Sequence, residues 1–155
     1  MTMAHGIAID AQIEETSLDC GDEGTRQLAP RSGVQLITFS TPYDCSACTP
    51  HLAALDSLKK QGMLPEGDAM VLWAPGENLD HEVGMVRGKT HRTVCVDQKG
   101  MMWDRHDLQH TPVTVLLVDG RVVYMNDRLL DSESQRAAFL QDLMQYSGTG
   151  PHRSD

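Results

Sequence analysis

The apolar positions change period several times along the chain, and each change marks an element. Val34-Gln35-Leu36-Ile37-Thr38-Phe39 is a compact apolar, β-branched run bounded by Gly33 and by Ser40-Thr41-Pro42. It predicts a central strand buried on at least one face. The period then becomes helical: Cys48, Leu52, Leu55 and Leu58 recur at spacings of four, three and three, and the stripe runs back to Cys45. Asp56 and Lys60 form an i,i+4 pair on another face, and Gly62 supplies a stop. Pro50 fits only a first turn, so the helix is expected to be kinked there or irregular at its start. Ala69-Met70-Val71-Leu72-Trp73 reads as a second buried strand, closed by Pro75-Gly76. Two strands around one helix make a βαβ unit with a right-handed crossover. Leu79, Val83 and Val86 mark a second helix ending near Gly88, and residues 93–96 a short strand. Residues 101–110 are expected to be irregular or briefly helical. Two apolar runs, 113–118 and 121–125, are split by Asp119-Gly120, a strong hairpin signal. Ser132 with Gln135 three residues on opens a last helix carrying Phe139, Leu140, Leu143 and Tyr146 on one side.

The order predicts an α/β fold: a mixed central sheet, built from a βαβ unit and an antiparallel hairpin, with helices on both faces. At 155 residues, with 40% hydrophobic and 23% charged positions, the chain suits one domain with a real core. We divide it into an acidic segment 1–30, a domain 31–148 and a tail 149–155. In the first part Ile7, Ile9, Ala11 and Ile13 alternate as in a short edge strand, and the stretch 14–30 reads as loop. Residues 1–25 hold six acids and no Lys or Arg, so most of the net charge of −9 sits there, as a solvated lead-in. This balance argues against nucleic-acid or anionic-membrane partners. No apolar run approaches the roughly 18–20 residues of a membrane span. The N-terminus has no basic region followed by an apolar stretch, which sets the expectation of a cytoplasmic location; the protein is also expected to be a monomer.

Four cysteines, Cys20, Cys45, Cys48 and Cys95, are too few for a disulfide-stapled scaffold. Cys20 is expected to be a lone loop thiol, and Cys95, between Val94 and Val96, a small buried hydrophobe. Cys45-Ser46-Ala47-Cys48 stands at the strand-to-helix corner. There a close thiol pair can form a redox disulfide, hold a metal, or carry no chemistry.

Four features in sequence resemble the thioredoxin superfamily, especially its redoxin branch of thiol-disulfide oxidoreductases. They are the strand running into Cys45-Ser46-Ala47-Cys48, the run Val94-Cys95-Val96-Asp97-Gln98-Lys99-Gly100, Thr111-Pro112 directly before a strand, and the Asp119-Gly120 hairpin. Pro112 follows Cys45 by 67 positions, and the likeness spans roughly residues 33–146. The resemblance implies a thioredoxin-like fold and a cis peptide bond at Pro112 beside the cysteine pair. Proline offers no N–H, so an extended substrate strand would pair with the backbone of Thr111. Three positions depart from the family pattern. Tyr43-Asp44 stand where a Trp usually precedes the first cysteine, Thr38-Phe39 where a buried acid usually lies, and the helix proline comes early, at Pro50. The first departure bears on the substrate surface, to which Tyr43 is assigned with Thr111 and Pro112. The second leaves the proton acceptor for Cys48 unassigned.

The expected function is thiol-disulfide exchange with protein dithiol or disulfide substrates and a redox donor, with no cofactor. A helix N-terminus favours the thiolate, so Cys45 is the nucleophile and Cys48, one turn on, the resolving thiol. Ser46-Ala47 adds no cation to that field, and the pair is expected to be a reductant or moderate oxidoreductase. Three rivals stand beside this reading. A zinc or copper site would combine Cys45 and Cys48 with His51, Cys95 or His110, but zinc sites normally show a second close ligand pair. A peroxiredoxin-type peroxidase would place Thr three before its cysteine, where Pro42 stands. A redox-inactive binding module has no need of both thiols.

Overall fold

In the computed structural model the described residues are 7–42, 49–65, 67–108, 111–127, 130 and 132–146. Seven strands form one mixed sheet: β1 (Thr16–Asp19), β2 (Thr25–Leu28), β3 (Val34–Ser40), β4 (Ala69–Leu72), β5 (Thr93–Val96), β6 (Val113–Val118) and β7 (Arg121–Asn126). Their order across the sheet is β2-β1-β5-β4-β3-β6-β7. The helices are α1 (Thr49–Lys60), α2 (Leu79–Arg87), α3 (Met101–His106) and α4 (Glu133–Tyr146).

The βαβ expectation holds, since β3 and β4 pair in parallel with Ile37 opposite Ala69 and Ser40 opposite Leu72. Strand β5 extends the parallel set, and β6 lies antiparallel on the other side of β3, with Phe39 opposite Val113. Thus β3 is interior, as its mostly apolar run predicts, with Gln35 and Thr38 the polar positions buried in it. Asp119 and Gly120 both have positive φ, 55° and 82°, the conformation of a type I′ hairpin turn. At the end of α1, the Met63 N–H bonds to the Leu58 carbonyl and the Gly62 N–H to that of Lys59. These close a Schellman motif around Gly62 at φ +72°. The Ser132 hydroxyl accepts the Gln135 N–H at 3.2 Å, as its spacing predicts.

Alternation along the strands sorts side chains to two faces. Ile37, Phe39, Val71, Cys95, Val113 and Val115 face one side, under Met102 and Trp103 of α3 and under Ile7 and Ile13. On the other side Leu36 and Leu116 meet α1 and α4 through Leu55, Phe139 and Leu143. Met70, Leu72, Val94 and Val96 there meet Leu79, Val83 and Val86 of α2. The ends of β4 and β5 remote from the Ser40 terminus are tied by a fully buried ion pair. Arg92 Nε lies 3.0 Å from each oxygen of Asp68.

The N-terminal part differs from its expected form in four respects. Residues 7–13 form no strand; Gln12 makes one isolated bridge to Arg121, flanked by hydrogen bonds between Asp10, Ala11 and Val122. Residues expected as loop instead form the β1–β2 hairpin, and β1 joins the sheet through Asp19 opposite Val96. Gly21 and Gly24, at φ +69° and +75°, supply the reversal. The acids are not simply solvated: Glu23 accepts hydrogen bonds from Arg26 and from Thr93 on β5, and Glu14 pairs with Arg105. Cys20 and Cys95, expected as separate thiols, form a buried disulfide that fixes the hairpin to β5. Hairpin and partner strand lie 75 residues apart, which no local periodicity reports.

Asp56 also has different partners from those expected. Its carboxylate accepts the Thr90 hydroxyl at 2.9 Å, the His91 backbone N–H, and a contact from His91 Nδ1 at 3.0 Å. Burial pushes the carboxyl up, but the His91 and Thr90 hydrogen bonds outweigh it and hold it below its ordinary value. A depressed folded-state value stabilises the fold above the unfolded carboxylate range, about pH 4, and that contribution fades as pH falls through the folded value. Asp56→Asn is therefore expected to cost about 1 kcal/mol at pH 7, because His91 is largely exposed and screens the pair. Denaturant melts of both proteins at pH 7 and pH 3 check this, with the difference shrinking at the lower pH.

Candidate active site

The site is built where β3 ends. Strand pairing sets Phe39 opposite Val113 on one side and Ser40 opposite Leu72 on the other. Pro112, one residue before Val113, is therefore level with Ser40, and beyond Leu72 the Trp73 N–H donates to the Ser40 carbonyl at 3.3 Å. So the β3 terminus is flanked by the Thr111–Pro112 corner and by Trp73. The chain leaves β3 through Thr41 and Pro42 and re-enters the described residues in α1 at Thr49. Cys45 and Cys48, the proposed catalytic pair, and Tyr43 lie outside the described residues, as do His110 and the side chain of His51.

Of the expected site residues the structure therefore brings Thr111 and Pro112 to the β3 terminus. Their peptide bond is cis, as the resemblance implies, with Pro112 buried and Thr111 half-buried. Beneath them Thr38 and Thr114 are both fully buried, and their hydroxyls face each other across β3 and β6 at 3.0 Å. Thr38 lies on the sheet face that carries α1, by alternation from Leu36. A hydroxyl pair thus occupies the strand position where the family pattern has an acid. Cys95 leaves the set of metal ligands considered above, since its sulfur is bonded to Cys20. Among the described residues no group of three or more His, Cys, Asp or Glu is arranged to hold a metal ion.

Sequence reasoning passed over the aromatic cluster on the opposite face. Trp103 meets Phe39 edge-on with ring centroids 5.8 Å apart, and Trp73 at 5.9 Å. The signal for Trp73 was its place directly after a strand parallel to β3, which sets it level with the residues leading to the cysteines. The short helix α3 that carries Trp103 is held at its start by Asp97, whose carboxylate accepts the N–H groups of Met101 and Met102 at 3.1 and 2.8 Å. At its other end burial, and secondarily the Arg105 charge, push the His106 imidazole below its ordinary value against the opposing pull of Glu14 and Asp97. That ring is accordingly neutral at neutral pH.

No protein-family model matches the chain, and no curated protein matches it. Solved structures do. A thio-disulfide isomerase from Thermus thermophilus superposes with a TM-score of 0.68 at 16% identity, over 90% of this chain and 96% of that one. The pneumococcal exposed lipoprotein thioredoxin Etrx1 from Streptococcus pneumoniae gives 0.66 at 20% identity, over 85% and 99%. StoA from Bacillus subtilis gives 0.64 at 15% identity, over 80% and 95%. The fold of this chain is thioredoxin-like.

Proposed function

We propose that the chain is a thiol-disulfide oxidoreductase whose Cys45–Cys48 pair exchanges with protein disulfides. The observation that carries this reading is the flanking of the β3 terminus by Thr111–Pro112, because that terminus leads within five residues to Cys45. The Thermus neighbour's description as a thio-disulfide isomerase supports it. In the reducing direction the Cys45 thiolate attacks one sulfur of the substrate disulfide. That S–S bond breaks, a mixed disulfide forms, and the other substrate sulfur leaves as a thiolate. Cys48, deprotonated, then attacks the Cys45 sulfur and releases the second substrate thiolate, leaving a Cys45–Cys48 disulfide. Two electrons pass to the substrate, and a dithiol donor restores the pair. Tyr43 and the Thr111–Pro112 corner contact the substrate, and the protein works as a monomer.

The second disulfide bears on the compartment. Cys20 and Cys95 are both buried and joined, and such bonds persist in oxidising surroundings and are rare in the cytosol. We read the protein as working in an oxidising compartment, in place of the cytoplasmic location expected from its N-terminus. The description of the pneumococcal neighbour as an exposed lipoprotein agrees with this.

An equilibrium titration against glutathione tests the function. Two thiols are expected to appear and disappear reversibly, with a midpoint more reducing than about −200 mV, the range of reducing or moderate exchangers. Cys20 and Cys95 should stay blocked throughout. A midpoint near about −120 mV would make the protein an oxidase instead. Stoichiometric zinc together with no titrating pair would replace the redox reading by a metal site.

A further inference from the structure

We propose that Trp73 is a substrate-contact residue, and that the cavity beside it receives a side chain of the polypeptide undergoing exchange. This rests on the thiol-disulfide reading above and names the part of the substrate that the protein recognises. Trp73 and Pro112 lie on opposite sides of the β3 terminus. Two strand spacings separate them, about 10 Å, which is the reach of roughly three extended residues. A polypeptide crossing the sheet end at the corner can therefore meet both, whereas a small disulfide such as bis(2-hydroxyethyl) disulfide, with no peptide arm, is too short to reach the second contact.

The indole is held rigidly on its inner sides. It packs against Trp103, and Gly100 lies so close that a Cβ there would be 2.6 Å from Trp73 Cε2. Gly100 is also at φ +68°, so both backbone and space at that position are committed to admitting the ring. Trp73, half-buried, is one of the residues that line a mainly polar cavity of about 240 Å³, with Pro75, Glu77, Asp80, Gln98 and Lys99. Gln98 donates to Asp80 at 3.0 Å, which ties two of its polar lining residues together. An immobilised aromatic surface with polar groups around it binds at low entropic cost, which is why such residues dominate polypeptide recognition. Among the described residues beside the β3 terminus, Trp73 supplies an aromatic side chain.

The test compares two substrates reduced at the expense of dithiothreitol: insulin as a polypeptide disulfide and bis(2-hydroxyethyl) disulfide as a small one. For Trp73→Ala, KM for insulin is expected to rise about tenfold or more while kcat and the turnover of bis(2-hydroxyethyl) disulfide stay within twofold. Trp73→Phe keeps an aromatic ring against Trp103 and should raise the same KM severalfold, so the comparison survives if the alanine variant fails to fold. Unchanged KM for insulin in a folded variant would overturn the proposal and leave the exchange reading intact. An equal loss on both substrates would make Trp73 a structural residue and overturn it as well. Failure of the unsubstituted protein to reduce either substrate would instead remove the exchange reading, and this proposal with it.

Discussion

Cys45→Ser is expected to reduce disulfide exchange to the uncatalysed background, whereas Cys48→Ser should keep the first step and stall after it. The asymmetry follows from the order of the two attacks. A serine hydroxyl does not ionise near neutral pH and cannot form an S–S bond, so without the Cys45 sulfur no mixed disulfide arises. Without the Cys48 sulfur the mixed disulfide forms but has no internal thiol to release it, and it accumulates on Cys45. Non-reducing gel electrophoresis followed by mass spectrometry reads the difference directly: a covalent adduct with Cys48→Ser and none with Cys45→Ser. The Cys20–Cys95 bond is present in both variants and serves as an internal reference, since its sulfurs are buried. Adducts on both variants, or on neither, would rule out the assignment of Cys45 as nucleophile. Peroxide consumption that persists in Cys48→Ser would shift the reading to a thiol peroxidase.

Much of the fold can be read from the sequence because its signals are local. The run 34–39 predicts a central strand buried on at least one face, and β3 is interior with core on both faces. Asp119-Gly120 encodes its own turn, and the i+3 spacing of Ser132 and Gln135 its own cap. The cis bond at Pro112 is different, since its local prior is only about 5–6%. There the resemblance carried the expectation, and the structure agrees. What escaped the sequence is long-range. The residues 16–28 look like loop because three acids and two glycines interrupt any apolar period, yet they become a hairpin once β5 offers Val96 as a partner. Asp56 has a lysine one helical turn away and bonds Thr90 and His91 instead, since α1 and the segment before β5 meet only in the folded chain. Trp73 looked like the end of a strand. Its position beside Ser40 exists only after β3 and β4 have paired in register.

Removing the Cys20–Cys95 bond is expected to be the costliest change outside the cysteine pair. Cys20→Ala with Cys95→Ala deletes only the two sulfurs from a packed site, so the transfer and cavity terms are small and the loss of the cross-link dominates. The bond joins residues 75 positions apart, and closing so long a loop in the unfolded chain corresponds to about 4 kcal/mol by the chain-entropy relation. For a domain of this length that is a drop in Tm of roughly 10 °C. The loss should be uneven. Beyond the disulfide, β1 meets β5 through one paired position, Asp19 opposite Val96, with side-chain ties from Arg26 and Glu23 to Thr93. Strands β3, β4 and β6 instead hold one another along whole registers. Amides of residues 16–28 should therefore exchange faster in the variant while those of β3 and β6 change only with global stability. Thermal melts of the oxidised protein, the reduced protein and the double variant separate the cross-link from the side-chain change. The last two should coincide, well below the first. A double variant melting within about 2 °C of the oxidised protein would show that noncovalent contacts alone hold the hairpin.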